Sequence, residues 1–136
     1  MGRLIATLLV FAFLAGSAAG AESEAPTIDG VRSVLVGTWQ STDDTKFTRE
    51  FDADGNSADR YEGDASATTI GRWTLFRGSD APKNLAAAQK LEAGVFYLKL
   101  DENGDQLLFA LAGLSRSDLK MVYLARGNLL SFIRLK

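Results

Sequence analysis

Short alternating segments joined by two-residue turns are the feature that most constrains the fold of this chain. Asp54-Gly55 and Asn103-Gly104 are dipeptides typical of β-hairpins, because their residues accept the positive φ angles of tight hairpin turns. Apolar and polar residues alternate in the segments that flank these turns, which is the pattern of half-buried strands. Neighbouring segments of the chain are therefore predicted to pair as antiparallel hairpins.

The alternating pattern predicts eight short strands. The first begins at Gly37-Thr38-Trp39, and the others cover residues 46–51, 57–62, 68–76, 95–101, 106–112, 119–126 and 129–135. Such a series forms either an antiparallel sandwich or an up-and-down barrel. The chain has no Cys and therefore no disulfide to support open sheet edges. We predict an all-β fold, an eight-stranded antiparallel up-and-down β-barrel.

Two helical segments are predicted beside the strands. Thr27 is a suitable N-cap for a short helical turn that presents Ile28, Val31 and Leu35 on one face. Residues 80–92 carry a second helix pattern between strands four and five, with Pro82 in the first turn and Gly94 after the end. An Ala-rich loop is the alternative for this second segment.

The first 21 residues have the pattern of a signal peptide. Arg3 precedes an apolar stretch, and Ala19-Gly20-Ala21 matches a cleavage site before Glu22. No Cys stands at this site to carry a lipid, so we expect a secreted or periplasmic protein without a stable membrane anchor after cleavage. The predicted domains are a signal peptide (1–21), a leader with a short helical turn (22–33) and a barrel domain (34–136).

Composition argues against several functions. The absence of His and Cys removes the common nucleophile systems and zinc ligands. Cleavage after residue 21 removes Arg3 and changes the net charge from −2 to −3, and the remaining basic residues are scattered, so no nucleic-acid partner is expected. The acidic segments 52–56 and 101–105 do not complete a calcium loop and are predicted to be turns. We expect no metal, no cofactor, no catalytic residue and no enzyme activity.

One charged residue stands out on an apolar strand face. Arg49 lies between Phe47 and Phe51, and Asp59 and Tyr61 share one face of the next strand. One interpretation is that Arg49 and Tyr61 bind the carboxylate of a ligand. The alternatives are an internal salt bridge between Arg49 and Asp59, or an arginine near the rim that reaches solvent.

A set of large apolar residues can either line a pocket or fill the core. Its members are Trp39, Phe47, Phe51, Trp73, Phe96, Phe109, Met121 and Phe132. Eight-stranded barrels are near the size at which side chains fill the interior, so the sequence leaves both alternatives open. If Trp73 lies on an outer face or at the rim, it contributes less to stability than Trp39.

The Gly37-Thr38-Trp39 motif after a short helical lead-in, the eight strands and a late arginine together resemble the calycin group. More narrowly, the chain resembles the bacterial lipocalin-like secreted proteins. The resemblance implies that Trp39 closes one end of the barrel and that Arg134 packs on its ring by a cation–π contact, with Arg126 as a second candidate. In lipocalins a helix follows the barrel, whereas the second helix predicted here lies between strands four and five.

The resemblance implies binding of a small apolar or amphipathic ligand without catalysis. The candidate ligand-binding residues are Arg49, Tyr61, Phe47, Phe51, Trp73, Phe96 and Phe109; the structural residues are Gly37, Trp39 and Arg134. The alternative function is a cell-envelope protein–protein interaction module, an inhibitor or assembly factor with a filled core. Such a module would contact its partner through the loops 43–45 and 63–67 and the segment 77–93.

Overall fold

A computed structural model describes residues 25–85 and 90–136 as a closed barrel of eight antiparallel strands. One helix, α1, covers Ile28–Leu35 and precedes the first strand. The strands are β1 Gly37–Ser41, β2 Phe47–Phe51, β3 Asn56–Tyr61, β4 Asp64–Arg77, β5 Phe96–Glu102, β6 Asp105–Leu114, β7 Asp118–Tyr123 and β8 Asn128–Arg134. Each strand pairs with the next along the chain, and β8 pairs with β1. The predicted fold class is confirmed.

Closure of the barrel depends on the short strand β1, which pairs with both β2 and β8. Trp39 lies opposite Arg49 on β2 and opposite Arg134 on β8. The pairing with β8 extends past the strand, because the backbone N–H of Leu135 donates to the Thr38 carbonyl at 2.8 Å. No helix in the described part of the chain is long and apolar enough to cross a membrane.

The tight turns have the geometry that their residues predict. Asn103 and Gly104 both adopt positive φ, 53° and 82°, and join β5 to β6. In the turn before β3, Asp52 Oδ1 accepts hydrogen bonds from the backbone N–H groups of Asp54 and Asn56. The Asp52 carboxylate therefore holds a hairpin turn together.

The helix α1 forms where the sequence predicts a helical turn, and it covers one end of the barrel. Thr27 Oγ1 accepts a hydrogen bond from the backbone N–H of Gly30 at 3.0 Å, as an N-cap does. Val31 and Leu35 on the inner face of the helix are buried in the barrel core. The end of the barrel that α1 covers is called the lower end below.

The helix predicted over residues 80–92 is not found in the described residues. Gly78–Asp80 form a single 3₁₀ turn, residues 81–85 and 90–92 are not helical, and residues 86–89 lie outside the described residues. The backbone N–H groups of Gly78 and Ser79 donate to the carbonyls of Val95 and Ala93. These bonds bring the two ends of the segment together as a continuation of the β4–β5 pairing, which a helix from Asp80 to Glu92 would prevent.

This segment covers part of the outer face of the barrel. A second apolar cluster lies there, formed by Phe76, Val95, Tyr97 and Leu108, with Ala81, Leu85 and Leu91 packed against it. Two strand boundaries differ from the prediction by three residues or more: β4 begins earlier, at Asp64, and β7 ends earlier, at Tyr123. The strand β7 ends because the Tyr123 carbonyl accepts hydrogen bonds from the N–H groups of Arg126 and Gly127 in a turn.

The predicted signal peptide, residues 1–21, lies outside the described residues.

Candidate functional site

The lower end of the barrel is closed by Trp39 and Arg134. The Trp39 side chain is fully buried, and its Nε1 donates to the Leu35 carbonyl at the end of α1 at 2.9 Å. The guanidinium carbon of Arg134 lies 4.3 Å from the centre of the Trp39 ring. The contact that the resemblance implied for Arg134 is therefore present; Arg126 is exposed.

The same guanidinium also satisfies carbonyls near the C-terminal end of α1. Arg134 donates from Nη1 to the Val36 carbonyl and from Nη2 to the Val34 carbonyl. Gly37 makes this possible, because a Cβ at this position would collide with Arg134 Nη1. Gly37 also has a φ of 146°, which side chains disfavour. The glycine of the first Gly-x-Trp motif therefore provides space for the arginine.

Trp73 also belongs to the core of the lower end rather than to an outer face. It is buried, its ring centre lies 5.2 Å from that of Phe51, and its Nε1 donates to the Asp52 carbonyl at 2.9 Å. The guanidinium carbon of Arg32 on α1 lies 4.3 Å from the Trp73 ring centre. Of the positions that the sequence left open for Trp73, the structure therefore shows the buried one.

At the upper end, opposite α1, partly buried apolar side chains lie over the core. These rim residues are Phe47, Leu107, Tyr123 and Leu130. Tyr61 stands beside them at the end of β3, and its hydroxyl donates to Asp44 Oδ1 at 3.3 Å. The Tyr61 hydroxyl thus binds a loop residue and not Arg49.

Below the rim, Arg49 and Asp59 form an ion pair inside the barrel. Arg49 Nε and Nη2 donate to the two carboxylate oxygens of Asp59 at 2.8 and 2.9 Å. Arg49 is 6% exposed and Asp59 is 7% exposed. Phe47 and Phe109 flank the guanidinium, with their ring centres 5.4 and 5.3 Å from its carbon. The internal salt bridge is therefore the alternative that the structure supports.

Two further polar residues, Ser57 and Glu102, lie beside this ion pair. Both are register neighbours of Gly71: Ser57 faces it from β3 and Glu102 from β5. A Cβ at Gly71 would lie 2.5 Å from the Asp101 carbonyl oxygen, 3.0 Å from Glu102 Cβ and 3.2 Å from Ser57 Oγ. The glycine of the second Gly-x-Trp motif thus allows the close approach of the β5 backbone and leaves room for both side chains. We call Arg49, Ser57, Asp59 and Glu102 the polar cluster.

The environment of Glu102 raises the pKa of its carboxyl group. Burial raises the pKa of Glu102, and the neighbouring Asp59 carboxylate raises it further, while the charge of Arg49 opposes both effects. The Asp59 and Glu102 carboxyl groups are within hydrogen-bonding reach. A protonated Glu102 can therefore donate to Asp59.

The polar cluster contains buried atoms that find no hydrogen-bonding partner among the described residues. They are Arg49 Nη1, Ser57 Oγ and Glu102 Oε2. No other non-exposed side chain in residues 25–85 and 90–136 has a buried nitrogen or oxygen atom without a hydrogen-bonding partner. Buried polar groups are nearly always satisfied, because an unmet group costs about 1–3 kcal/mol. Their concentration at one place makes the polar cluster the candidate functional site of the described residues.

The structure separates the predicted ligand-binding residues into two groups. Phe47, Arg49, Tyr61 and Phe109 lie at or just below the upper end, whereas Phe51, Trp73 and Phe96 lie in the core toward the lower end. Sequence reasoning missed Ser57 and Glu102. Ser57 could have been found, because it lies two residues before Asp59 and therefore on the same strand face. The sequence around Glu102 gives no such signal, because it predicts a turn.

The arrangement can bind a group by hydrogen bonds, and no residues in the described ranges are grouped to hold a metal ion. Among known proteins, no family model matches the chain, and neither a curated protein nor a solved structure matches it significantly.

Proposed function

We propose that this protein is a lipocalin-like barrel that binds a small amphipathic molecule at its upper end. The observation that carries the proposal is the group of three buried, unpartnered polar atoms in the polar cluster. A ligand whose polar group reaches the cluster would satisfy these atoms, and its apolar part would contact the rim residues. A small-molecule site commonly combines an apolar lining with a few polar groups in this way.

The depth of the proposed site follows from the packing of the core. Below the rim, the largest side chains with almost no exposure include Trp39, Phe51, Leu35 and Met121. They pack against one another in a single cluster. A ligand therefore occupies the upper end, and does not extend through the barrel.

The lipocalin-like interpretation is supported by the closed end of the barrel. The Arg134 guanidinium on the Trp39 ring, and the short helix leading into the first strand, are the features on which the resemblance depends. With this interpretation we propose a secreted or periplasmic protein that is cleaved before Glu22. Mass measurement of the protein recovered from its host would test the cleavage site.

The segment 77–93 offers less support for the alternative function as an interaction module. Its residues Ala81, Leu85 and Leu91 pack on the outer apolar cluster of the barrel itself. These side chains are therefore engaged within the chain. We favour the ligand-binding function because the polar cluster has unmet hydrogen bonds, whereas these three apolar residues pack against the barrel.

Titration with the apolar fluorophore N-phenyl-1-naphthylamine tests ligand binding at the upper end. We expect its fluorescence to rise with the wild-type protein. Leu130→Arg, which places a charge at the rim, should weaken binding roughly tenfold or more. Leu129→Arg is the matched control, since Leu129 is the preceding residue on β8 and is 51% exposed.

Leu107→Arg repeats the rim substitution from β6, and urea unfolding checks that each variant retains its fold. Wild-type protein that binds no fluorophore, or equal binding by the rim variants and Leu129→Arg, would overturn the proposal.

A further inference from the structure

We propose that the head group of the ligand is uncharged and carries both a hydrogen-bond acceptor and a donor, as an alcohol does. The inference rests on the proposed ligand-binding function and narrows it to a chemical class. It replaces the expectation that Arg49 binds a ligand carboxylate. Three features of the polar cluster support it: the ion pair, the types of the unpartnered atoms, and the charge around Glu102.

The first feature is that the charge of Arg49 is already neutralised. Asp59 accepts from Nε and Nη2 of Arg49 and occupies one bidentate edge of the guanidinium. A ligand carboxylate at the remaining Nη1 would place a second anion beside Asp59 in a site that excludes most water. The repulsion between these anions would offset the attraction of Arg49.

The second feature is the donor and acceptor character of the unpartnered atoms. Arg49 Nη1 can only donate, Glu102 Oε2 can accept, and Ser57 Oγ can do either. A hydroxyl group fits this set because its oxygen can accept a hydrogen bond from Arg49 Nη1 while its O–H donates one to Glu102 Oε2. An ether oxygen satisfies Arg49 and leaves Glu102 Oε2 without a donor.

The third feature argues against a cationic head group. Both oxygens of Asp59 accept from Arg49, so a ligand ammonium at Asp59 would compete with the guanidinium for the same carboxylate. Glu102 lies in an environment that disfavours its charged form. An ammonium group in the cluster would also lie beside the Arg49 cation, and the repulsion between the two cations would weaken its binding.

A competition series with one alkyl chain and different head groups tests the inference. The displacement of N-phenyl-1-naphthylamine from the wild-type protein is measured at neutral pH with 1-decanol, decyl methyl ether, decanoate and decylamine. We expect decanol to displace the fluorophore at a concentration about threefold to tenfold lower than the ether, because one hydrogen bond is gained. Decanoate and decylamine should be weaker than decanol by about tenfold or more.

The variant Glu102→Met supplies a test within the cluster. It removes the acceptor at this position, so the preference for decanol over the ether should shrink to about twofold or less. Ser66→Ala, on the exposed first part of β4, should leave the order of the four compounds unchanged.

The possible outcomes separate the two proposals. Displacement by decanoate or decylamine as strong as that by decanol would overturn the head-group assignment and leave ligand binding intact. An unchanged preference for decanol in Glu102→Met would also overturn it. If the fluorophore binds no better to wild type than to Leu130→Arg, the proposed function itself fails.

Discussion

Arg49 and Asp59 face each other directly across β2 and β3, and both carboxylate oxygens of Asp59 accept hydrogen bonds from Arg49 inside the barrel. One residue further along each strand, Glu50 and Arg60 form a second ion pair on the outer face at 2.7 Å. The two pairs have similar distances on the same two strands, but only the first is buried. The two pairs therefore allow the contribution of a buried ion pair to stability to be compared with that of an exposed one.

We expect Asp59→Asn to destabilise the protein by about 3–5 kcal/mol, because it leaves the Arg49 cation buried without its partner. The exposed control Glu50→Gln should cost about 0–1 kcal/mol. Urea unfolding monitored by tryptophan fluorescence measures both. Equal midpoints for the two variants would show that burial does not strengthen the inner pair.

The second prediction concerns Glu102 and pH. An acid whose pKa is higher in the folded than in the unfolded protein binds more protons when folded, so stability falls as pH rises through the window between the two values. For Glu102 this window begins near the ordinary value of 4.5 and extends to its raised pKa.

Glu102→Gln has no ionisable group at this position, so it should lose less stability than wild type across the same window. Free energies of unfolding measured from pH 4 to pH 8 test this expectation. Parallel pH profiles for wild type and variant would contradict it.

The two tryptophans give the third prediction. Trp39→Ala should cost about 3–5 kcal/mol, because a large buried side chain is removed from a packed core. Trp73→Ala should cost a similar amount, since Trp73 is also buried and its Nε1 donates to the Asp52 carbonyl. Urea midpoints of the two variants measure this, and a midpoint of Trp39→Ala equal to that of wild type would refute the role of Trp39 as a structural centre.

The fourth prediction distinguishes the two late arginines. Arg134→Met removes the contact with the Trp39 ring and the hydrogen bonds to carbonyls near the end of α1, and it should cost about 1–3 kcal/mol. Arg126→Met should change stability by less than about 0.5 kcal/mol, because Arg126 is exposed in a turn. Thermal unfolding of both variants supplies the measurement, and equal losses would contradict the assignment to Arg134.

The strands were predictable because their signals are local. Alternation and turn dipeptides such as Asn103-Gly104 determine hairpins from a few neighbouring residues. The helix predicted over residues 80–92 shows the limit of that reasoning. Its local pattern fits a helix, but tertiary hydrogen bonds from Gly78 and Ser79 to the far end of the segment prevail in the described residues.

The candidate site was predictable only in part, for a related reason. Arg49 and Asp59 were recognised because they share a face on adjacent strands, so strand alternation brings them together. Glu102 follows an apolar strand and precedes a turn, which is a common place for a solvated acid. Glu102 comes near Ser57 because both lie opposite Gly71, Ser57 from β3 and Glu102 from β5. A single sequence does not show the register of three paired strands.

The pairing of β8 with β1 has a consequence for the order of folding. All other pairings join strands that are consecutive along the chain, and most of them close short turns, with the longer segment between β4 and β5 as the exception. The pairing of β8 with β1 instead joins residues nearly a hundred positions apart, such as Trp39 and Arg134. Contacts of such long sequence separation pay the largest loop-closure entropy and slow the folding of β proteins. Trp39 lies where β8 pairs with β1, so the environment of its indole changes when the barrel closes.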